Sequence, residues 1–208
     1  MTGSRPAVFL DRDGTLNEMV YDETHGIVDS PFTPDRMVLK RQAGAFVAAL
    51  NRLGYLCLVV TNQPGLAKGT LTLDRLADMH ERMESLLEAR DAHLDGIYFC
   101  PHHPDPGSAG PAELAVACSC RKPEPGLIVE AAERHGVDLG RSFMVGDGVV
   151  DVEAGRRAGV TTILVAKMQA ELLERMADRP DARPDCVAQD LEGALQHIQR
   201  TRAEGVGS

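Results

Sequence analysis

A recurrence of short apolar runs, each cut off by polar residues, most constrains how this chain can fold. AVFL (7–10), YLCLVV (55–60), GIYF (96–99), SFMVG (142–146), TTILV (161–165) and CVA (186–188) read as strands. They are continuous rather than alternating, the pattern of strands covered on both faces. Segments of helical periodicity separate most of them. AGAFVAALNRLG (43–54) sets Phe46, Val47, Leu50 and Leu53 on one face, with Gly54 as C-cap. TLDRLADMHERMESLLEAR (72–90) sets Leu73, Leu76, Met79, Met83, Leu86 and Leu87 in register behind Thr72 as N-cap. Segments 125–136 and 151–159 end in Gly, and 190–202 is followed by a tail, 203–208, expected to fray. Strands alternating with helices predict an α/β fold: a doubly wound, mostly parallel sheet with helices on both faces, in one domain spanning 1–208. No internal repeat interrupts it.

Charge and length narrow the function. A net charge of −9 argues against broad binding to nucleic acid or anionic lipid, but not against a small anion held in a cleft. No apolar run approaches the roughly 20 residues that span a bilayer, and the first residues lack the apolar stretch of a signal peptide. The expectation is a cytoplasmic protein without membrane or nucleic-acid partners. Cys57 and Cys186 lie in apolar runs and read as core residues.

Ligands of doubly wound sheets bind beyond the carboxyl ends of the strands. The residues there are Asp11-Arg12-Asp13 after the first run, Thr61-Asn62-Gln63 after the second and Asp147 after SFMVG; CRKPEPG (120–126) adds Lys122. In an extended segment Asp11 and Asp13 point to the same side, which is costly without a nearby positive charge. A divalent cation between Asp11 and Asp147 relieves that repulsion and neutralises an incoming phosphate. These residues form a toolkit for phosphoryl transfer through an aspartyl-phosphate. Asp11 is the expected nucleophile and Asp13 the acid/base, while Thr61 and Lys122 hold the phosphoryl oxygens. An EF-hand loop is excluded, because its ligand pattern and closing Glu are absent.

A second constellation is CPHHP (100–104) followed by CSCRKP (118–123). Cys100, His102, Cys118 and Cys120 offer three thiolates and one imidazole, a zinc shell that would pin both ends of the loop 100–120. A disulfide is the alternative, disfavoured by the compartment. A nucleic-acid finger is disfavoured because the loop has no basic residue before Arg121. His103 is treated as a neighbour of this set.

With Asp11-x-Asp13-Gly-Thr, Thr61-Asn62, Lys122 in RKP and Gly146-Asp147 in order, the chain resembles the haloacid-dehalogenase-like (HAD) phosphatases over roughly residues 5–170. The resemblance implies magnesium held by the side chains of Asp11 and Asp147 and the backbone oxygen of Asp13. The presence of Asp13 implies phosphotransfer rather than dehalogenation. The CxH…CxC insertion beside RKP resembles the branch holding D-glycero-D-manno-heptose 1,7-bisphosphate 7-phosphatase and histidinol-phosphate phosphatase, and the long gap from His102 to Cys118 is as in the heptose enzymes. That resemblance implies a small phosphorylated sugar as substrate, loss of its 7-phosphate, no large cap, a structural zinc and a monomer; histidinol phosphate is the alternative. It also implies substrate contacts from Arg121, Asn62, Gln63 and Asn17. The chain departs from the heptose pattern at Gly148, where a Lys is expected, and in the loop after Asn17; Arg12 or Lys68 then supplies the positive charge. A non-catalytic zinc module on a silent core is set aside, since such a relative would be expected to have lost Asp11 or Asp13.

Overall fold

The structure, a computed structural model, describes residues 4–22, 26–105, 109–166, 176–177 and 179–206. Parts of the loop after Asn17 (23–25), of the expected metal loop (106–108) and of the expected tail (207–208) lie outside the described residues. Strands β1 (Ala7–Leu10), β4 (Leu56–Asn62), β5 (Gly96–Cys100), β6 (Phe143–Gly146), β7 (Thr161–Val165) and β8 (Cys186–Ala188) form one sheet in the order β5-β4-β1-β6-β7-β8. Every pairing in it is parallel. From β1 the chain steps outward through β4 to β5, then returns to the other side of β1 for β6, β7 and β8. The order therefore reverses between β1 and β6, which makes the crevice beyond their carboxyl ends the natural ligand site.

The pleat explains why the strands read as unbroken apolar runs. Val8, Leu10, Val59 and Val145 face α1 (Ala43–Arg52), α3 (Leu73–Glu88) and α6 (Leu191–Val206), packing with Phe46, Leu50, Met79, Met83 and Ile198. Ala7, Phe9, Leu58 and Met144 point the opposite way, onto Leu127, Ile128 and Ala131 of α4 (Gly126–His135) and Ala154 of α5 (Val149–Ala158). Alternate residues thus feed separate cores, and both faces are apolar. The doubly wound fold is as expected from the sequence.

Local departures have physical causes. Leu73 is 62% exposed: it lies in the first turn of α3, on the rim of an open cleft with Leu66, Pro101 and Leu114. Helix α5 starts at Val149, two residues early, with the Gly148 N–H donating to Asp151 Oδ2 at 2.9 Å. Helix α6 continues through Val206, so residues 203–206 are helical where fraying was expected; Arg202 anchors this end by donating to the Leu53 carbonyl at 2.6 Å. Cys57 is buried, but Cys186, on the edge strand β8, is only partly so. The loop after Asn17 contains an antiparallel hairpin, β2 (Val20–Asp22) with β3 (Ile27–Asp29). Three adjacent apolar residues before DETHG and two after it are too few to announce a strand.

At the end of the sheet away from the crevice, side chains close the strand starts. The Ala7 N–H donates to Ser142 Oγ (2.9 Å), that of Cys57 to Asp95 Oδ2 (2.8 Å) and that of Thr162 to Asp185 Oδ2 (2.8 Å). Ser142 is fully enclosed, so no water replaces its hydroxyl. Ser142→Ala orphans the Ala7 N–H and is expected to lower stability by about 1–3 kcal/mol, read as a fall in the urea midpoint without a change in slope.

Candidate active site and metal cluster

The ladder between β1 and β6 continues one residue past the strand, with the Asp11 N–H donating to the Val145 carbonyl at 2.9 Å. This carries Asp11 to the crevice mouth. The chain then turns back tightly, and the N–H groups of Leu16 and Asn17 both return to the Arg12 carbonyl. Gly14 makes the turn possible with φ +83°, and a Cβ there would lie 2.2 Å from Asp147 Oδ2. Thr15 Oγ1 donates to Asp147 Oδ1 at 3.1 Å, locking the turn to the end of β6. Gly146 admits a further carboxylate: a Cβ there would lie 2.3 Å from Asp151 Oδ2.

Lys122 is the buried cation of this crevice. Its Nζ stands 2.6 Å from Asp11 Oδ1, 2.6 Å from Asp151 Oδ1 and 2.8 Å from the Val60 carbonyl. Burial pushes the Asp11 carboxyl up to about 7, with Lys122 pulling down and Asp151 pushing up. Burial likewise raises Asp151 against the pull of Lys122. Desolvation and the charge of Asp11 raise Asp147, whose side chain faces solvent. For Lys122 burial works against the charge, and the two carboxylates overcome it and hold the ammonium charged.

Oxygens of Asp11, Asp147 and Asp151 lie within 4.8 Å of one another. Asp11 and Asp151 share the Lys122 ammonium, Asp147 adds a third carboxylate, and all their donors are hard oxygens, a set that fits a divalent cation such as magnesium. Asp151 was not anticipated from the sequence. Its signal was a second Asp four residues after Asp147, one helical turn on.

Asp13 lies in a different environment. Its carboxylate accepts from Arg12 Nε (3.1 Å) and Nη2 (2.8 Å), Gln63 Nε2 (2.8 Å) and Asn17 Nδ2 (3.1 Å). Burial alone would raise it, but the Arg12 guanidinium and these hydrogen bonds hold it below the usual range. Several residues expected as substrate contacts are held in this network. Arg12 is fully enclosed, with Nη2 also on Gln63 Oε1 (3.0 Å) and Nη1 3.2 Å from His80 Nε2. Gln63 and Asn17 are buried in the same network. Asn62 spends both ends of its amide on the Lys122 backbone, donating to its carbonyl and accepting from its N–H, each at 3.0 Å. The Gln63 and Asn62 amides satisfy partners within the fold, whereas Asn17 Oδ1 is buried without a hydrogen-bond partner.

Thr61 is buried at the end of β4, where its Oγ1 accepts from Gln63 Nε2 at 3.0 Å and keeps its own proton to donate. Arg121 is half-buried and donates to the His102 carbonyl at 3.2 Å. Lys68 is exposed. A further cation, Lys40, was missed. Its N–H donates to the Leu16 carbonyl at 2.9 Å, and its charge acts on the Asp147 carboxyl, pulling it down.

The second constellation assembles at the end of β5. Sγ–Sγ separations are 3.5 Å (Cys100–Cys118), 3.1 Å (Cys100–Cys120) and 3.2 Å (Cys118–Cys120). His102 Nδ1 lies 3.7 Å from Cys100 Sγ and 3.3 Å from Cys120 Sγ. A tetrahedral zinc with arms of about 2.3 Å has edges of about 3.8 Å, slightly wider than these spacings. The cysteines are free, so the disulfide alternative is set aside. His103 lies apart, its Nδ1 accepting the Asp105 N–H at 3.0 Å. The four residues form a soft-donor set able to hold a metal ion.

A doubly wound sheet whose switch-point crevice pairs the Asp11 carboxylate with a buried lysine fits the HAD-like hydrolase class. Comparison with known proteins agrees: the HAD-hydrolase-like family model matches residues 119–194. D-glycero-β-D-manno-heptose-1,7-bisphosphate 7-phosphatase of Salmonella typhi is 37% identical over 96% of this chain and 100% of its own length. Its namesake from Yersinia pestis is 39% identical over 80% of this chain and 83% of its own. The crystal structure of D,D-heptose 1,7-bisphosphate phosphatase from B. bronchiseptica, complexed with magnesium and phosphate, superposes with a TM-score of 0.74 at 28% identity, covering 94% of this chain and 99% of that one. The chain belongs to the HAD-like phosphatases, phosphoric monoester hydrolases, in the family that includes these heptose bisphosphate phosphatases. Among the described residues no helix is long and apolar enough to cross a membrane.

The crevice electrostatics set a pH dependence. Asp11 titrates near 3.8 when unfolded and about 7 when folded, so the metal-free fold takes up a proton between those values. Its stability therefore falls as pH rises through that window. A divalent cation competes with this proton, so added magnesium should raise the melting temperature more at pH 8 than at pH 5; equal shifts would contradict the assignment. For the second cluster, Cys118→Ala should lower the metal-to-protein ratio measured by elemental analysis, and an unchanged ratio would refute the ligand set.

Proposed function

We propose that this chain is a magnesium-dependent phosphatase that removes the 7-phosphate of D-glycero-D-manno-heptose 1,7-bisphosphate through an aspartyl-phosphate. The product, heptose 1-phosphate, would feed nucleotide-activated heptose synthesis. The observation that carries the reading is the buried Lys122 ammonium gripping one oxygen of Asp11 and one of Asp151. It leaves Asp11 Oδ2 as the oxygen for attack on phosphorus. The heptose bisphosphate named as substrate of the Yersinia pestis and Salmonella typhi relatives supports the sugar.

Asp11, Asp147 and Asp151 would hold magnesium, with the Asp13 backbone oxygen carried over from the family resemblance. When bound, the ion supplies charge neutralisation for the incoming phosphate. Lys122 and Thr61 stabilise the charge spread over the phosphoryl oxygens during transfer. Asp13 protonates the leaving sugar oxygen and then takes a proton from the water that hydrolyses the aspartyl-phosphate. Arg121 and Lys40 are the cations for the remaining phosphate. Zinc on Cys100, His102, Cys118 and Cys120 is structural, anchoring Arg121 and Lys122 one and two residues beyond its last ligand.

Phosphate release with magnesium, measured on both anomers of heptose 1,7-bisphosphate, histidinol phosphate and fructose 1,6-bisphosphate, tests this reading. A heptose bisphosphate is expected to lead by more than tenfold in kcat/KM, the β anomer first, and Asp11→Asn to abolish turnover in a folded protein. A lead for histidinol phosphate would overturn the substrate, and retained turnover in Asp11→Asn would overturn the mechanism.

A further inference from the structure

The Arg12 guanidinium has no solvent to fall back on, and its hydrogen bonds go to Asp13, Gln63 and His80. Asp13 and Gln63 belong to the crevice itself. His80 comes from α3, where it sits beside the buried stripe of Leu76, Met79 and Met83. A guanidinium can only donate, so His80 Nε2 is the acceptor at 3.2 Å and the ring proton is on Nδ1. The ring lies 6.0 Å from that of Phe99 on β5, the residue before Cys100. His80 therefore stands between packed elements and the one cation that grips Asp13 in two places.

We infer that His80 is a positioning residue for the acid/base: through Arg12 it keeps the Asp13 carboxyl aimed at the leaving oxygen. The inference rests on the proposed role of Asp13. If Nη1 loses its acceptor, the guanidinium must bury an unsatisfied N–H or rotate to find another partner. Rotation breaks the paired contacts from Nε and Nη2, and Asp13 keeps only Gln63 and Asn17. A loss of this kind shows where the leaving group needs a proton. An alkoxide leaving from a sugar phosphate needs one, while p-nitrophenolate departs without it.

The test is kcat/KM, which reports events up to departure of the leaving group, for heptose 1,7-bisphosphate and for p-nitrophenyl phosphate. His80→Leu should lower kcat/KM about tenfold or more on the sugar phosphate and less than about twofold on the aryl phosphate. His80→Gln, which returns an acceptor oxygen to Nε2's place, should recover most of the loss. Asp13→Asn should show the same selectivity to a greater degree. Equal losses on both substrates in His80→Leu, or no loss, overturn the positioning role if Asp13→Asn is selective. If Asp13→Asn is itself unselective, the acid assignment fails and the role of His80 falls with it.

Discussion

The structure of the crevice depends on one ammonium group. Lys122 Nζ touches β1 through Asp11, β4 through the Val60 carbonyl and α5 through Asp151. Removing one partner of a buried ion pair leaves an uncompensated charge, which typically costs about 3–5 kcal/mol. Here the loss of Lys122 would leave two such carboxylates facing each other. With all three acids ionised the balance stays short of neutral even with Lys122 in place, because Asp147 adds a third carboxylate to the two that Lys122 pairs with. The deficit of two charges is the electrostatic reason for a divalent ion, and the raised proton affinities of all three acids express the same deficit.

The position of Lys122 is set from two directions. Asn62 clamps its backbone from the end of β4, and the Cys/His cluster ends at Cys120, two residues upstream. The two sites are joined again where the Gln63 N–H donates to the Cys100 carbonyl at 2.8 Å, between the active-site end of β4 and the first residue of the cluster. A metal in the cluster would therefore bear on Lys122 through a short, hydrogen-bonded path. That gives the insertion a role without any contact between it and the phosphate.

The sheet, its helices and both clusters were legible in the sequence because each rests on a local pattern. Strands such as AVFL are apolar on both faces, and the carboxylates follow them directly, as a switch-point site requires. The cysteines could be grouped by residue type and spacing. What was hidden depended on distant partners. Arg12, Asn17, Asn62 and Gln63 are polar residues next to the proposed catalytic ones, and sequence alone cannot tell a ligand contact from a buried brace. Only the fold shows that their amides and guanidinium bond to Asp13 and Lys122, with Asn17 Oδ1 left unpartnered. Asp151 and Lys40 escaped for the same reason: one is brought in by the first turn of α5, the other by a segment running alongside Leu16.

The two aspartates of DRDGT answer to opposite environments. Burial raises the proton affinity of Asp11, while Arg12 and the hydrogen bonds from Gln63 and Asn17 lower that of Asp13. Such a split between neighbouring carboxyls separates their roles. On the proposed function, the resting form of Asp13 is the base needed to activate water in the second half-reaction. The acid form needed first can be induced by the substrate, since a phosphate dianion entering beside Asp13 raises its proton affinity by like-charge repulsion. Departure of the sugar carries the proton away and restores the carboxylate under Arg12. The same grip then serves both halves of the reaction, holding the carboxyl in place while its charge changes.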